Sequence, residues 1–240
     1  MKFLPNYIDP AWQDFLTDEI REELYNIEQQ VGENYNPTNP EYILRFLTVP
    51  LDEIKIIWLG QDVYPAEGVA TGRAFEVGHL DSWQAPFRQA SLRNIVRLIH
   101  KNYHDIEEYE SIQTFQKIRK EIANGHFPIV SPPKWFASLE KQGVLFLNSA
   151  FTCEINKANS HKQIWQPFSE QLLQYIGKRR PDIIWFLWGK EALEKKKYIK
   201  HGVFKESRHP SRCSNAYDDD FLKFSGFQDT MHIIDWLGNA

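Results

Sequence analysis

IKIIWLGQDVYPAEGVATGRAFEV, residues 54–77, decides how the rest of the chain is read. It opens with an apolar run from Ile54 to Leu59, broken only by Lys55. A short run of that kind marks a strand buried on both faces of a parallel sheet. The run stops at Gly60 and delivers Gln61, Asp62 and Tyr64: an amide, a carboxylate and a phenol. In open α/β sheets, ligands bind outside the carboxyl ends of the strands, so these polar groups stand where a site is expected. Gly68, Gly72 and Gly78 let the following loop turn tightly, and Phe75 brings a flat apolar ring back to the same cluster.

Three more apolar runs follow the same plan. Val144–Leu147 delivers Asn148, Ile183–Trp188 ends at Gly189, and Val203–Ser207 delivers Arg208, His209, Pro210, Ser211, Arg212, Cys213 and Ser214. Helical spacing fills the intervals. A helix capped by Asp9 with Pro10 in its first turn runs through Trp12, Phe15, Leu16, Ile20, Leu24 and Ile27, and a short one covers Glu41 to Leu47. One helix region spans Ser82 to Tyr103, a second Glu107 to Ile122, a third Trp135 to Gln142, and another passes Leu172, Leu173 and Ile176. Lys190–Lys200 reads as a helix with a solvated lysine face. Alternation of strand and helix predicts an α/β fold: a single domain with a central four-stranded parallel twisted sheet flanked by helices. Residues 1–50 form an N-terminal helical part and 51–237 the catalytic core of that domain.

Composition narrows the function. The net charge of −4 argues against a general nucleic-acid coating protein but permits an enzyme with a local basic groove. The two cysteines, Cys153 and Cys213, form no CxxC pair, which excludes a four-cysteine metal site and fits a reducing cytoplasm. No metal-ligand cluster or cofactor motif stands out, so neither is expected. No apolar run approaches about 18 residues, and the N-terminal MKFLPNYIDP lacks the apolar core of a signal peptide.

The segment Gly60-Gln61-Asp62-Val63-Tyr64, followed by Ala74-Phe75, resembles the water-activating loop of the uracil-DNA glycosylase superfamily, closest to its family 1 type. That family's usual text is Gly-Gln-Asp-Pro-Tyr-His, so the chain departs at Val63 and Pro65. Two later segments match in order. Gln142–Ser149, centred on Asn148, resembles the family's base-reading segment. His209–Ser214 resembles its intercalation loop, usually His-Pro-Ser-Pro-Leu-Ser. Ser91-Leu92 matches a Pro-Pro-Ser-Leu segment without its prolines, and Ser160-His161 and Trp165–Phe168 also fall in place. The resemblance covers about residues 51–237.

The resemblance implies a monofunctional glycosylase that flips a pyrimidine out of double- or single-stranded DNA and hydrolyses its N-glycosidic bond. Such a reaction parts a base anion from a sugar cation, and both charges need stabilising. Asp62 fits the sugar side and the attacking water, and His209 fits a donor to the base O2. By resemblance Phe75 stacks on the base, Asn148 reads its edge, Gln61 adds a contact and Tyr64 excludes a C5 methyl. Ser91, Pro210, Ser211 and Ser214 are assigned to the DNA strand. Cys213 stands at the family's wedge leucine, with Arg212 beside it. No lysine occupies a motif position, so no Schiff-base lyase step is expected.

Uracil, in base excision repair, is the first choice of base. Val63, Pro65, Thr71 and Arg73 replace family residues, and a looser, more polar loop would suit a C5-substituted cytosine or uracil in foreign DNA, hence anti-phage defence. A catalytically silent DNA-binding relative is the third reading, opposed by the presence of both Asp62 and His209. A cytoplasmic monomer is expected, with any protein inhibitor unidentified.

Overall fold

Four strands, each five residues long, form one parallel sheet in the computed structural model, which describes residues 1–240. They are β1 (Ile56–Gly60), β2 (Val144–Asn148), β3 (Ile184–Trp188) and β4 (Val203–Ser207), in the order β2-β1-β3-β4. The register pairs Gly60 with Asn148, Leu59 with Leu187, and Trp188 with Ser207. The carboxyl ends of all four strands therefore reach one edge, and the loops that leave them share it.

Alternation along the strands makes two cores. Ile57, Leu59, Leu145, Leu147, Trp185 and Leu187 face one side, where they meet α1 (Asp18–Val31), α5 (Lys162–Arg179) and the N-terminal segment. Ile56, Trp58, Val144, Phe146, Phe186 and Trp188 face the other. There they meet α2 (Ala90–Tyr103), α3 (Phe115–Ala123), α4 (Pro132–Lys141) and the C-terminal stretch with Phe224 and Trp236. No helix is long and apolar enough to cross a membrane.

Several helices are shorter than their periodicity predicts. Asp9 does cap a turn, accepting from the Ala11 N–H at 3.0 Å, but that 3-10 turn ends at Trp12. α1 starts afresh at Asp18, with the Thr17 hydroxyl accepting from Ile20 N–H. Trp12, Phe15 and Leu16 are all buried on the first core, which requires the chain to turn between the two segments. Residues 82–89 are not helical: Pro86 has no N–H to give a helix ladder, and Trp83 is buried with its indole N–H on the Val130 carbonyl at 2.7 Å. The helix expected from Glu107 begins at Phe115, after a 3-10 turn at Tyr109–Ser111. Glu41–Leu47 resolves into two 3-10 turns, and the lysine-rich helix is α6 (Lys190–Lys195) followed by another.

Candidate active site

A cavity of about 480 Å³ opens at the carboxyl edge of the sheet. That is within the roughly 300–1,000 Å³ of small-molecule sites. Gln61, Asp62, Tyr64, Phe75, Ser91, Asn148, His209 and Ser211 all line it. They come from four separate segments of the chain, which the sheet register brings together. Pro210, Arg212, Cys213 and Ser214 do not line it.

Two glycines make room for the polar groups. A β-carbon on Gly60 would overlap the Asn148 carboxamide, and one on Gly189 would lie 2.7 Å from the His209 β-carbon. Gly189 also has φ of 84°, a conformation that favours glycine. Asn148 is buried, with its side chain against Gly60 at the cavity wall.

Asp62 is held from two sides. The Val63 N–H donates to Oδ1 at 2.9 Å, and the Asn159 N–H donates to Oδ2. Each carboxylate oxygen keeps a further lone pair for a water. Burial raises the Asp62 pKa to about 6, outweighing the two N–H donors, which pull it down. The carboxyl is thus largely ionised at neutral pH and half protonated near pH 6.

His209 has a defined tautomer. The Ser211 backbone N–H points at Nδ1 at 3.2 Å, and the Ser211 hydroxyl lies 2.8 Å from the same atom. A backbone N–H can only donate, so Nδ1 accepts and the ring proton resides on Nε2. The residue is exposed along one edge, but the walls around the ring bury enough of it to lower its pKa below 6.5. The imidazole is neutral at pH 7 and carries one N–H to offer.

Phe75 is one of four non-glycine residues with positive φ, at 68°. Such backbone is costly for a bulky side chain and persists only where the surroundings hold it. Here the ring packs edge-on against Trp188, with centroids 5.4 Å apart. On its flanks Arg73 makes a two-pronged pair with Glu140 of α4 at 2.8 and 2.7 Å and also reaches Glu76 at 3.0 Å. The Thr71 hydroxyl donates to Glu76 at 2.6 Å. Thr71 and Arg73 therefore brace the Phe75 turn, and the expectation of a looser loop is corrected.

Three supporting residues escaped the sequence reading. Asn36, fully buried, donates from Nδ2 to the carbonyls of Tyr64 and Ala66, fixing the loop that carries Asp62 and Tyr64. Asn159, at φ 62°, turns its N–H onto Asp62 and accepts from the Gln61 side chain at 2.8 Å. That bond engages one Gln61 amide N–H, and Ala150 N–H occupies the Gln61 carbonyl, so the Gln61 backbone N–H and the rest of its amide remain for a base. Asn94 donates to the Pro210 carbonyl at 2.6 Å and ties α2 to the His209 loop. Two asparagines in Asn156–Asn159 were the visible hint of left-handed turns; Asn36 and Asn94 gave none.

The matched Ser160-His161 pair is also structural. The Thr152 hydroxyl accepts from the Trp165 indole N–H at 2.7 Å and shares a hydrogen bond with His161 Nδ1 at 2.9 Å. Ser160 Oγ accepts from Glu154 N–H at 2.6 Å. Together they shape the loop that presents Asn159.

On the remaining loop, the Cys213 thiol faces the Pro210 carbonyl at 3.7 Å and packs on the second core. Burial pushes its pKa up to about 12. Arg212 is exposed. Ser214 donates its N–H to Asp220 at 2.7 Å, and its hydroxyl accepts from Ala216 N–H at 3.3 Å.

No protein-family model matches the chain. Curated relatives do. The uracil-DNA glycosylase of Francisella philomiragia is 35% identical over 243 residues, covering 94% of this chain and 98% of the relative. That of Streptococcus pneumoniae is 31% identical, covering 84% and 83%. Among solved structures, the wild-type UNG of Nitratifractor salsuginis superposes with a TM-score of 0.70 over 95% of this chain and 93% of that one. At 21% identity that likeness speaks for the fold alone.

Proposed function

Because the chain belongs to the uracil-DNA glycosylase family, we propose that it excises uracil from DNA with Asp62 and His209 as its catalytic pair. It is a hydrolase of N-glycosyl bonds, acting on DNA. The observation that carries the residue assignment is the shared cavity: a carboxylate ionised at neutral pH and a neutral imidazole N–H line it together with Phe75 and Asn148.

The uracil leaves the stack and enters the cavity, where Phe75 offers a ring face and Asn148 an amide for the pyrimidine edge. As the N1–C1′ bond lengthens, the electron pair moves to the base and positive charge grows on the sugar. His209 Nε2–H donates to O2, where the base's negative charge collects, without giving up its proton. Asp62 faces the oxocarbenium-like sugar. The lone pairs left free by Val63 and Asn159 orient the water that adds to C1′, and Asp62 receives its proton. The uracil anion leaves and takes a proton from solvent, Asp62 returns its proton to solvent, and an abasic site remains.

Ser91, in the first turn of α2, and Ser211 line the cavity, which supports assigning them to phosphates of the DNA strand. We assign the wedge to Arg212, because it is the long exposed side chain next to position 213, where the Cys213 thiol is turned inward.

Features that suggested a modified base have packing explanations here. Val63 is buried beside Ala70 and Cys153, and Arg73 is bound by two glutamates. The test is incubation with DNAs carrying uracil, thymine, cytosine or C5-substituted pyrimidines, read as alkali-labile sites. Cleavage at uracil alone is expected; cleavage only at a substituted base would overturn the substrate assignment.

A further inference from the structure

His100 and His104 stand one turn apart at the carboxyl end of α2, and Glu121 faces them from α3. Both imidazole Nε2 atoms approach the same Glu121 oxygen, His100 at 2.8 Å and His104 at 3.4 Å. One ligand atom from each of the three residues falls within 4.8 Å of the others. We propose that these side chains bind a divalent transition-metal ion of the zinc class, clipping α2 to α3.

The donor set selects the ion. Two imidazoles and one carboxylate suit zinc and its neighbours, whereas magnesium and calcium prefer all-oxygen sites. Ligand atoms about 2.0–2.1 Å from a tetrahedral zinc lie a little over 3 Å from one another, so small side-chain rotations complete the site. The rings are already held for this. His100 is almost fully buried and meets Phe127 edge-on, with centroids 5.0 Å apart, and the His104 ring lies 4.4 Å from that of His100. His104 and Glu121 are each about a third exposed, which leaves an entry path and a fourth position for water. Without an ion, His100 Nε2 and the Glu121 carboxylate meet at 2.8 Å; a neutral imidazole that ligates through Nε2 carries its proton on Nδ1, so binding moves the ring proton to Nδ1. The His100 Nδ1 is buried without a partner in either case. Sequence inspection passed over the cluster because its third member comes from another helix.

The site stands apart from catalysis. Ser91 lines the cavity at the start of α2, and His100 lies more than two turns further along. Zinc should be titrated into chelator-stripped protein against a chromophoric competitor. One equivalent bound at micromolar affinity or tighter is expected. His104→Ala and Glu121→Gln should each weaken it by more than the roughly 10- to 100-fold that losing an outer-shell partner costs. His232→Ala, at an exposed histidine outside the cluster, should not. Zinc should also raise the Tm of the wild type and not that of His104→Ala, since an ion bound only by the folded state stabilises it. Uptake that is absent, or unchanged in both cluster variants, overturns the proposal. Glycosylase turnover with and without zinc is the separate readout for the catalytic site and should be the same.

Discussion

Gly60 and Asn148 face each other across the β1–β2 register, and the Asn148 carboxamide fills the space that a β-carbon at position 60 would take. The Asn148 carboxamide can rotate away, whereas the Ala74 β-carbon, 2.9 Å from the added methyl, moves only with its backbone. Gly60→Ala should therefore fold with some loss of stability and push the base-reading amide out of line. Losing one buried hydrogen bond to the base costs about 1–3 kcal/mol, or roughly 10- to 100-fold in kcat/KM on uracil DNA. Steady-state kinetics beside a melting curve check this. A Tm loss of many degrees with little kinetic change would assign Gly60 to the core instead.

Asp62 and His209 should dominate turnover. Asp62→Asn and His209→Ala are each expected to lower kcat by at least about 100-fold while DNA binding persists. The pH dependence follows from which forms are active. Asp62 must be ionised and its pKa is raised to about 6; His209 must be neutral and its pKa is lowered. Both requirements are met as protons leave, so activity should climb through pH 6 and level off above it, with neither group giving a falling limb above pH 7. In Asp62→Asn the residual activity should keep only the limb of His209. A profile that falls between pH 6 and 8 would contradict the assigned protonation states.

The strands were legible because each is a short apolar run on a sheet covered on both faces, and the motif residues follow them directly. Helix starts were less so. The apolar spacing from Trp12 to Ile27 continues unbroken across a turn that only Thr17 announces. Asn36 and Asn159 stayed hidden for another reason. They act on backbone groups, or through their own backbone N–H, far away in sequence: Asn36 on Tyr64 and Ala66, Asn159 on Asp62. Long-range pairing also hid the partner of Arg73, since Glu140 sits on an amphipathic helix where it reads as a solvated charge.

That Arg73–Glu140 pair yields a prediction about stability and base stacking together. The Arg73 side chain is 8% exposed, and Glu76 and Glu140 are 10% and 20% exposed. Arg73→Leu restores the residue usual in the family but leaves two carboxylates without their shared cation. Breaking a buried pair from one side costs about 3–5 kcal/mol. The positive-φ turn at Phe75 loses its brace at the same time. Denaturant unfolding should report the stability loss, and KM for uracil DNA should rise. Adding Glu140→Leu and Glu76→Gln to Arg73→Leu should recover only part of the stability, because Arg45, 3.9 Å from Glu140, then loses its own carboxylate. A single variant as stable as wild type would show that the pair contributes nothing.

Arg212 and Cys213 should separate in function. Flipping a paired base costs a few kcal/mol, and single-stranded DNA avoids most of that cost. A residue that fills the vacated stack therefore matters more on duplex than on single strands. Arg212 is exposed on the loop that follows His209, and its guanidinium can stack or bind phosphate. Arg212→Ala should lower the duplex-to-single-strand ratio of kcat/KM. Cys213 is different, because its thiol packs inward beside Pro210, whose carbonyl Asn94 holds. Cys213→Leu adds volume to a filled space and should cost about 1–3 kcal/mol of stability. It should also shift the neighbouring His209 and impair both substrates alike, leaving the ratio unchanged. If Cys213→Leu instead raises duplex activity selectively, position 213 is the wedge, and the loop opens on DNA far enough to turn that side chain outward.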